Sequence, residues 1–137
     1  MDEHDPVDEG EFVYRRIPPV YCDLGLPIPI QREAFRPSAN DDTGLSVFRA
    51  NFAQPRDTLV NVDPAKAKDY FVARLLVSDL VKLGLTVKPD PLPAGPPGHA
   101  VIPELSWPVY QANKQNLKPI LVELAKLASA AIVHVPT

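Results

Sequence analysis

The sequence predicts a small α+β domain: a mixed or antiparallel sheet with two helices packed on one face. Three observations predict it. Short segments with apolar residues at alternate positions recur along the chain, two longer segments place apolar residues at three- and four-residue spacing, and 17 of the 137 residues are proline, against a usual share of about 5%. So much proline confines a large part of the chain to loops, turns and edge strands. A chain of 137 residues matches one compact domain with one core, and no repeat or linker divides it. Residues 1–10, "MDEHDPVDEG", hold five acids, one proline and one glycine, so they are expected to form a flexible acidic leader, with 11–137 as the single α+β domain.

Each element has its own signal. "EFVYRRI" at 11–17 alternates Phe12, Tyr14 and Arg16 with Val13, Arg15 and Ile17, which predicts a strand ended by Pro18-Pro19. The excursion that follows carries prolines at 27, 29 and 37 and closes on Asn40-Asp41-Asp42-Thr43-Gly44, a turn cluster. Its Leu24, Leu26, Ile28, Ile30 and Phe35 predict packing over the core. "GLSVFRANF" at 44–52 sets Leu45, Val47 and Arg49 against Ser46, Phe48 and Ala50, a second strand. Asp63 as a cap, Pro64 at the first helical position, Val72, Leu76, Leu80 and Leu83 at helical spacing, and Gly84 as a left-handed stop predict a helix over 64–83. Strands are expected at 85–89 and 99–105, the second lying at an edge or ending early because of Pro103. Leu117, Ile120, Leu121, Leu124, Leu127 and Ala128 predict a second helix over 117–130, capped by Asn116 with Pro119 in its first turn, before a last strand at 131–135.

Composition narrows the function classes. A net charge of −3 and a pI near 5.5 argue against a dedicated nucleic-acid binder, which needs a dense positive face. The lone Cys22 cannot form an internal disulfide or a cysteine-rich metal site, and no apolar run reaches membrane-spanning length. A basic, apolar signal segment is also missing from the first residues, so the expectation is a soluble, cytoplasmic protein. No cofactor is expected either, because the six glycines build neither G-x-G-x-x-G nor a Walker loop. His4, Asp5, Asp8 and Glu9 fall in the polar leader, which argues against a fixed metal site.

The residues that carry chemistry are few. His99 follows Gly98 and opens an apolar run, placing an imidazole at a strand start as a candidate acid or base; the bland alternative is a turn histidine bonded to nearby backbone. Arg15 and Arg16 point to opposite faces of their strand, and Arg49 on a neighbouring strand can join one of them to hold an anion or carboxylate. Against that stands one arginine in an ion pair and one in water.

Together, "FVYRRIP", "AFRPSANDDTGLSVFRA", "KLGLTVKPDPLPAGPPGHAVIPEL" and "LVELAKLASAAIVHVP" resemble small bacterial proteins of unknown function with R-R-I, L-S-V and P-x-H-A elements. The resemblance covers most of the chain from Phe12 onward. It implies a bacterial origin and a single compact domain, and assigns no role to any residue. Two function classes follow from the residues. The favoured one is a non-enzymatic protein-binding or accessory module, its protein partner docked on the proline-rich 88–98 loop, the 18–43 excursion or a sheet edge. The alternative is a small enzyme for an anionic or nucleotide-like substrate, with His99 as acid or base and Arg15, Arg16 and Arg49 as the anion clamp.

Overall fold

The computed structural model describes residues 1–136. Its centre is a six-stranded, wholly antiparallel sheet in the order β4-β5-β2-β1-β3-β6. The strands are β1 (Phe12–Ile17), β2 (Leu45–Arg49), β3 (Phe71–Leu76), β4 (Lys88–Pro89), β5 (His99–Ile102) and β6 (Ile132–His134). Helices α1 (Pro64–Ala67), α2 (Val77–Lys82), α3 (Trp107–Ala112) and α4 (Lys114–Ser129) complete an α+β domain. No helix among the described residues is long and apolar enough to cross a membrane.

Strand alternation divides the sheet into two unlike faces. Val13, Ile17, Leu45, Val47, Leu75 and Ile102 share one face and form the core with Leu80 of α2, Tyr110 of α3 and Leu117, Leu121 and Leu124 of α4. The 18–44 excursion packs into the same core through Ile30, Ala34 and Phe35; burying Phe35 alone contributes about 3 kcal/mol. Its middle is tied to the end of α4, where the Ile30 amide donates to Ser129 Oγ at 2.9 Å. The other face carries Tyr14, Arg16, Phe48, Arg74 and His99.

One predicted element is overturned. Asp63 does cap a helix, accepting from the Ala65 amide at 3.0 Å, but that helix ends at Ala67. Residues 71–76 are instead the strand β3, paired with β1 over six residues, and only 77–82 return to helix before Gly84 ends α2 with φ +84°. The reason is burial on both faces. Phe71, Val72, Ala73 and Leu75 are all buried, so a strand inside the sheet loses its alternation and its apolar run coincides with helical spacing. Two further corrections are local. Helix α4 starts at Lys114, so Pro119 lies inside it and Asn113, not Asn116, occupies the cap position. Strand β5 is no edge, since it pairs with both β2 and β4, although it does end before Pro103.

Residues 1–10, expected as a flexible acidic leader, lie against the sheet, where Arg49 meets them. The guanidinium, fully buried, meets the Glu11 carboxylate in a two-pronged pair at 3.0 Å on each oxygen. Its remaining N–H groups donate to the carbonyls of Glu3 (3.2 Å), Asp5 (2.8 Å) and Pro6 (3.4 Å). Polarity did not forbid docking here because the segment contributes carbonyl acceptors rather than apolar surface. Glu3 returns the contact, its Oε1 accepting the Gly98 amide at 2.8 Å.

Breaking such a pair from one side strands a buried charge. Glu11→Gln or Arg49→Met is expected to lower unfolding free energy by about 3–5 kcal/mol, and the double variant by less than the sum. Urea denaturation of the three variants checks this; additive losses would show that the two residues act independently.

Candidate functional site

The four residues singled out by the sequence separate in space. Arg49 is consumed by Glu11 and the leader carbonyls, and its guanidinium also lies over the Phe52 ring at 5.0 Å. Arg16 and His99 do meet, both against one aromatic ring. The Arg16 guanidinium is 5.1 Å from the Phe48 centroid and the His99 ring is 5.2 Å from it, edge to face. Arg16 also donates to the Thr58 carbonyl at 3.1 Å and to Asn61 Oδ1, and burial pulls its pKa down.

His99 is the first residue of β5 and only 7% exposed. Its Nδ1 donates to the Asp90 carbonyl at 2.8 Å, with Asp90 Oδ2 at 3.3 Å, so Nε2 is the acceptor for the Ser46 hydroxyl at 3.1 Å. The serine, imidazole and aspartate come in the order of a hydroxyl activated by a base. Here the three join β2, β5 and the residue after β4, and neither Ser46 nor His99 lines the large cleft described next. His99 is a fastener of the sheet. His99→Phe is expected to destabilise the fold by about 1–3 kcal/mol, because the Asp90 carbonyl and Ser46 hydroxyl lose their partner. The same variant should leave ligand binding in the cleft unchanged, since the two lie on opposite faces of the sheet; a parallel loss of binding would contradict that separation.

Arg15 has a different environment. The ladder between β1 and β2 has only two residue pairs, Val13 with Arg49 and Tyr14 with Phe48, whereas β1 and β3 pair along six residues. Beyond Tyr14 the Arg15 guanidinium enters the gap. Nη1 donates to the Ser46 carbonyl at 2.9 Å, while Nε and Nη2 converge on the Ala34 carbonyl at 3.2 and 2.9 Å. No carboxylate is paired with it among the described residues. Burial pushes its pKa down to about 10, with Asp41 partly offsetting that and Arg16 adding to it, so the group keeps its charge at neutral pH.

Arg15 forms part of the wall of a cleft of about 660 Å³, between the 18–41 excursion and helices α3 and α4. Three more cations, Arg36, Lys114 and Lys118, line it, with the aromatic side chains of Tyr21, Trp107 and Tyr110. Its two carboxylates each have a nearer partner than Arg15. Glu33 faces Arg32 at 3.6 Å, and Asp41 Oδ2 accepts the amide and hydroxyl of Ser38 at 2.8 and 3.3 Å. Four cations against two occupied carboxylates make the cleft electropositive on a chain whose net charge is −3.

Local sequence explains how α3 presents its aromatic residues. Ser106 Oγ accepts the Val109 amide at 3.3 Å, Pro108 occupies the first turn, and the Trp107 amide donates to the Asp41 carbonyl at 2.8 Å. The sequence signals above do not include this helix or its Trp107 and Tyr110, and they give Lys114 and Lys118 of α4 no role. The Ser106-Trp107-Pro108 start was the available signal. Arg36 carried none, because only the folded excursion brings it to α4. Comparison with protein families, curated proteins and solved structures finds no match to this chain.

Proposed function

We propose that the protein is a binding module whose cleft takes an organic anion, held without turnover. The observation that carries this reading is Arg15, a half-buried guanidinium at a cleft wall, bonded only to backbone carbonyls and paired with no carboxylate among the described residues. A cation partly withdrawn from water without a paired carboxylate is costly, and a carboxylate or phosphoryl group entering the cleft supplies the missing counter-charge. Arg36, Lys114 and Lys118 add attraction at longer range. The cleft volume falls within the range of small-ligand sites, about 300–1,000 Å³.

Inorganic phosphate is the first probe. Calorimetric titration is expected to give saturable binding that weakens tenfold or more in Arg15→Met, with a loss of about 1.5–3 kcal/mol, the usual worth of a hydrogen bond to a charged group. Equal affinity in the variant would sink the reading.

Protonation supplies an independent check. In the empty cleft Arg15 has a pKa of about 10, and a bound anion raises it, so the bound state holds its proton more tightly than the free state. Once phosphate is a dianion, above about pH 8, affinity is therefore level, and it declines as pH rises through about 10, by up to tenfold per unit. Measured in a chain carrying Lys114→Gln, Lys118→Gln, Tyr21→Phe and Tyr110→Phe, so that neither the cleft lysines nor the cleft phenols titrate, that decline belongs to Arg15, and a level profile up to about pH 11 would contradict it.

A second reading, a protein partner, is favoured by a separate observation. Pairing of Cys22 with Ile30 closes a loop braced by Pro27 and Pro29, on which Leu24, Leu26 and Ile28 are 58%, 45% and 45% exposed. Stiff apolar loops lose little entropy on docking. A photo-crosslinking residue at position 26 should capture a defined protein where the same group at exposed Val60 does not. Equal capture from both positions would remove the loop from consideration.

A further inference from the structure

We infer that the ligand of the cleft is a planar aromatic oxyanion, its ring against Trp107 and its carboxylate or phosphoryl group gripped by two N–H groups of Arg15. This inference rests on the anion reading above and specifies what the anion is attached to. Two observations carry it.

The first is the donor count of Arg15. A guanidinium has five N–H groups, one on Nε and two on each terminal nitrogen. Nε and one N–H of Nη2 are used on Ala34, and one N–H of Nη1 on Ser46. One N–H remains on each terminal nitrogen. Two donors on the planar fork match two oxygens of a carboxylate or phosphoryl group, a grip that lysine's single ammonium does not reproduce. The carbonyl contacts also hold the fork in place before a ligand arrives, so little side-chain entropy remains to be lost on binding.

The second is the aromatic content of the walls. The chain has one tryptophan, four tyrosines and five phenylalanines, and the cleft gathers the tryptophan and two of the tyrosines. Trp107 remains partly exposed although it is the largest apolar side chain available for the core. It is held at the cleft by the Trp107 amide bond to Asp41 and by the first turn of α3. Tyr110 is 5% exposed and still lines both this cleft and the smaller one beside it. A purely electrostatic anion site does not need aromatic walls; flat apolar surfaces beside a cationic fork fit a ligand that is flat at one end and charged at the other.

Because Trp107 is the only tryptophan, its fluorescence reports on the cleft in the unmodified full chain. Phenyl phosphate, methyl phosphate and benzyl alcohol are titrated in parallel, by fluorescence and calorimetry. Phenyl phosphate is expected to change Trp107 emission and bind about tenfold tighter than methyl phosphate, with benzyl alcohol weakest. Tyr21→Leu, at a partly exposed position, should shrink the phenyl advantage while methyl phosphate affinity stays constant. Arg15→Lys should weaken both phosphates despite keeping the charge. Equal binding of phenyl and methyl phosphate, each lost in Arg15→Met, overturns the aromatic inference and leaves the anion reading standing. Binding of neither phosphate, or tighter binding of benzyl alcohol than of either, overturns both.

Discussion

A chain with 17 prolines lacks 17 backbone N–H donors, and its long irregular segments still expose carbonyls that need partners. Three arginines supply them. Arg49 reaches the carbonyls of Glu3, Asp5 and Pro6, Arg16 that of Thr58, and Arg15 those of Ala34 and Ser46. Each joins a strand of the sheet to a segment that lies outside the strands and α-helices. No buried side-chain nitrogen or oxygen among the described residues is left without a partner, which accords with the rule that buried polar groups are paired. Arginine suits this task because one rigid fork carries five donors at a fixed geometry.

Carbonyls satisfy the hydrogen bonds of a guanidinium but do not neutralise its charge, and the three arginines meet that remainder differently. Arg49 has the Glu11 carboxylate. Arg16, half-buried like Arg15, lies over the Phe48 ring. Arg15 has neither a paired carboxylate nor an aromatic face, and it alone of the three borders the large cleft. The same local event produces both conditions. Where the ladder between β1 and β2 ends, the guanidinium takes over the Ser46 carbonyl, and the excursion must pass close enough to present Ala34. Structural bracing and a potential anion site are thus two consequences of one inserted side chain.

The two faces of the sheet divide the remaining work. One buries the apolar residues of β1, β2, β3 and β5 against α2, α3 and α4, and the cleft opens beside it where α3 and α4 meet the excursion. The other holds polar and aromatic side chains in mutual contact, with His99 and Arg16 against Phe48 and Arg74 over Phe12 at 4.2 Å. Gly98 shows how tight that junction is. A Cβ there would lie 2.9 Å from Phe52 Cβ, at a backbone φ of +81° that side chains rarely adopt. The imidazole that opens β5 is therefore positioned by a turn that only glycine makes easily.

Periodicity and punctuation in the sequence determined the α+β class, the strands β1, β2 and β6, the long C-terminal helix and the stop at Gly84, because those signals act within a few residues of where they are read. Tertiary structure decided β3, since the depth of a strand inside a sheet erases the alternation that would mark it. It also decided which arginine is available. Arg15, Arg16 and Arg49 are equivalent as letters, and their partners lie 19 to 46 residues away in the chain. The cleft draws on β1, the excursion, α3 and α4, four segments that meet only after the core has formed, so its charge and aromatic walls exist in the fold and not in any one stretch of sequence.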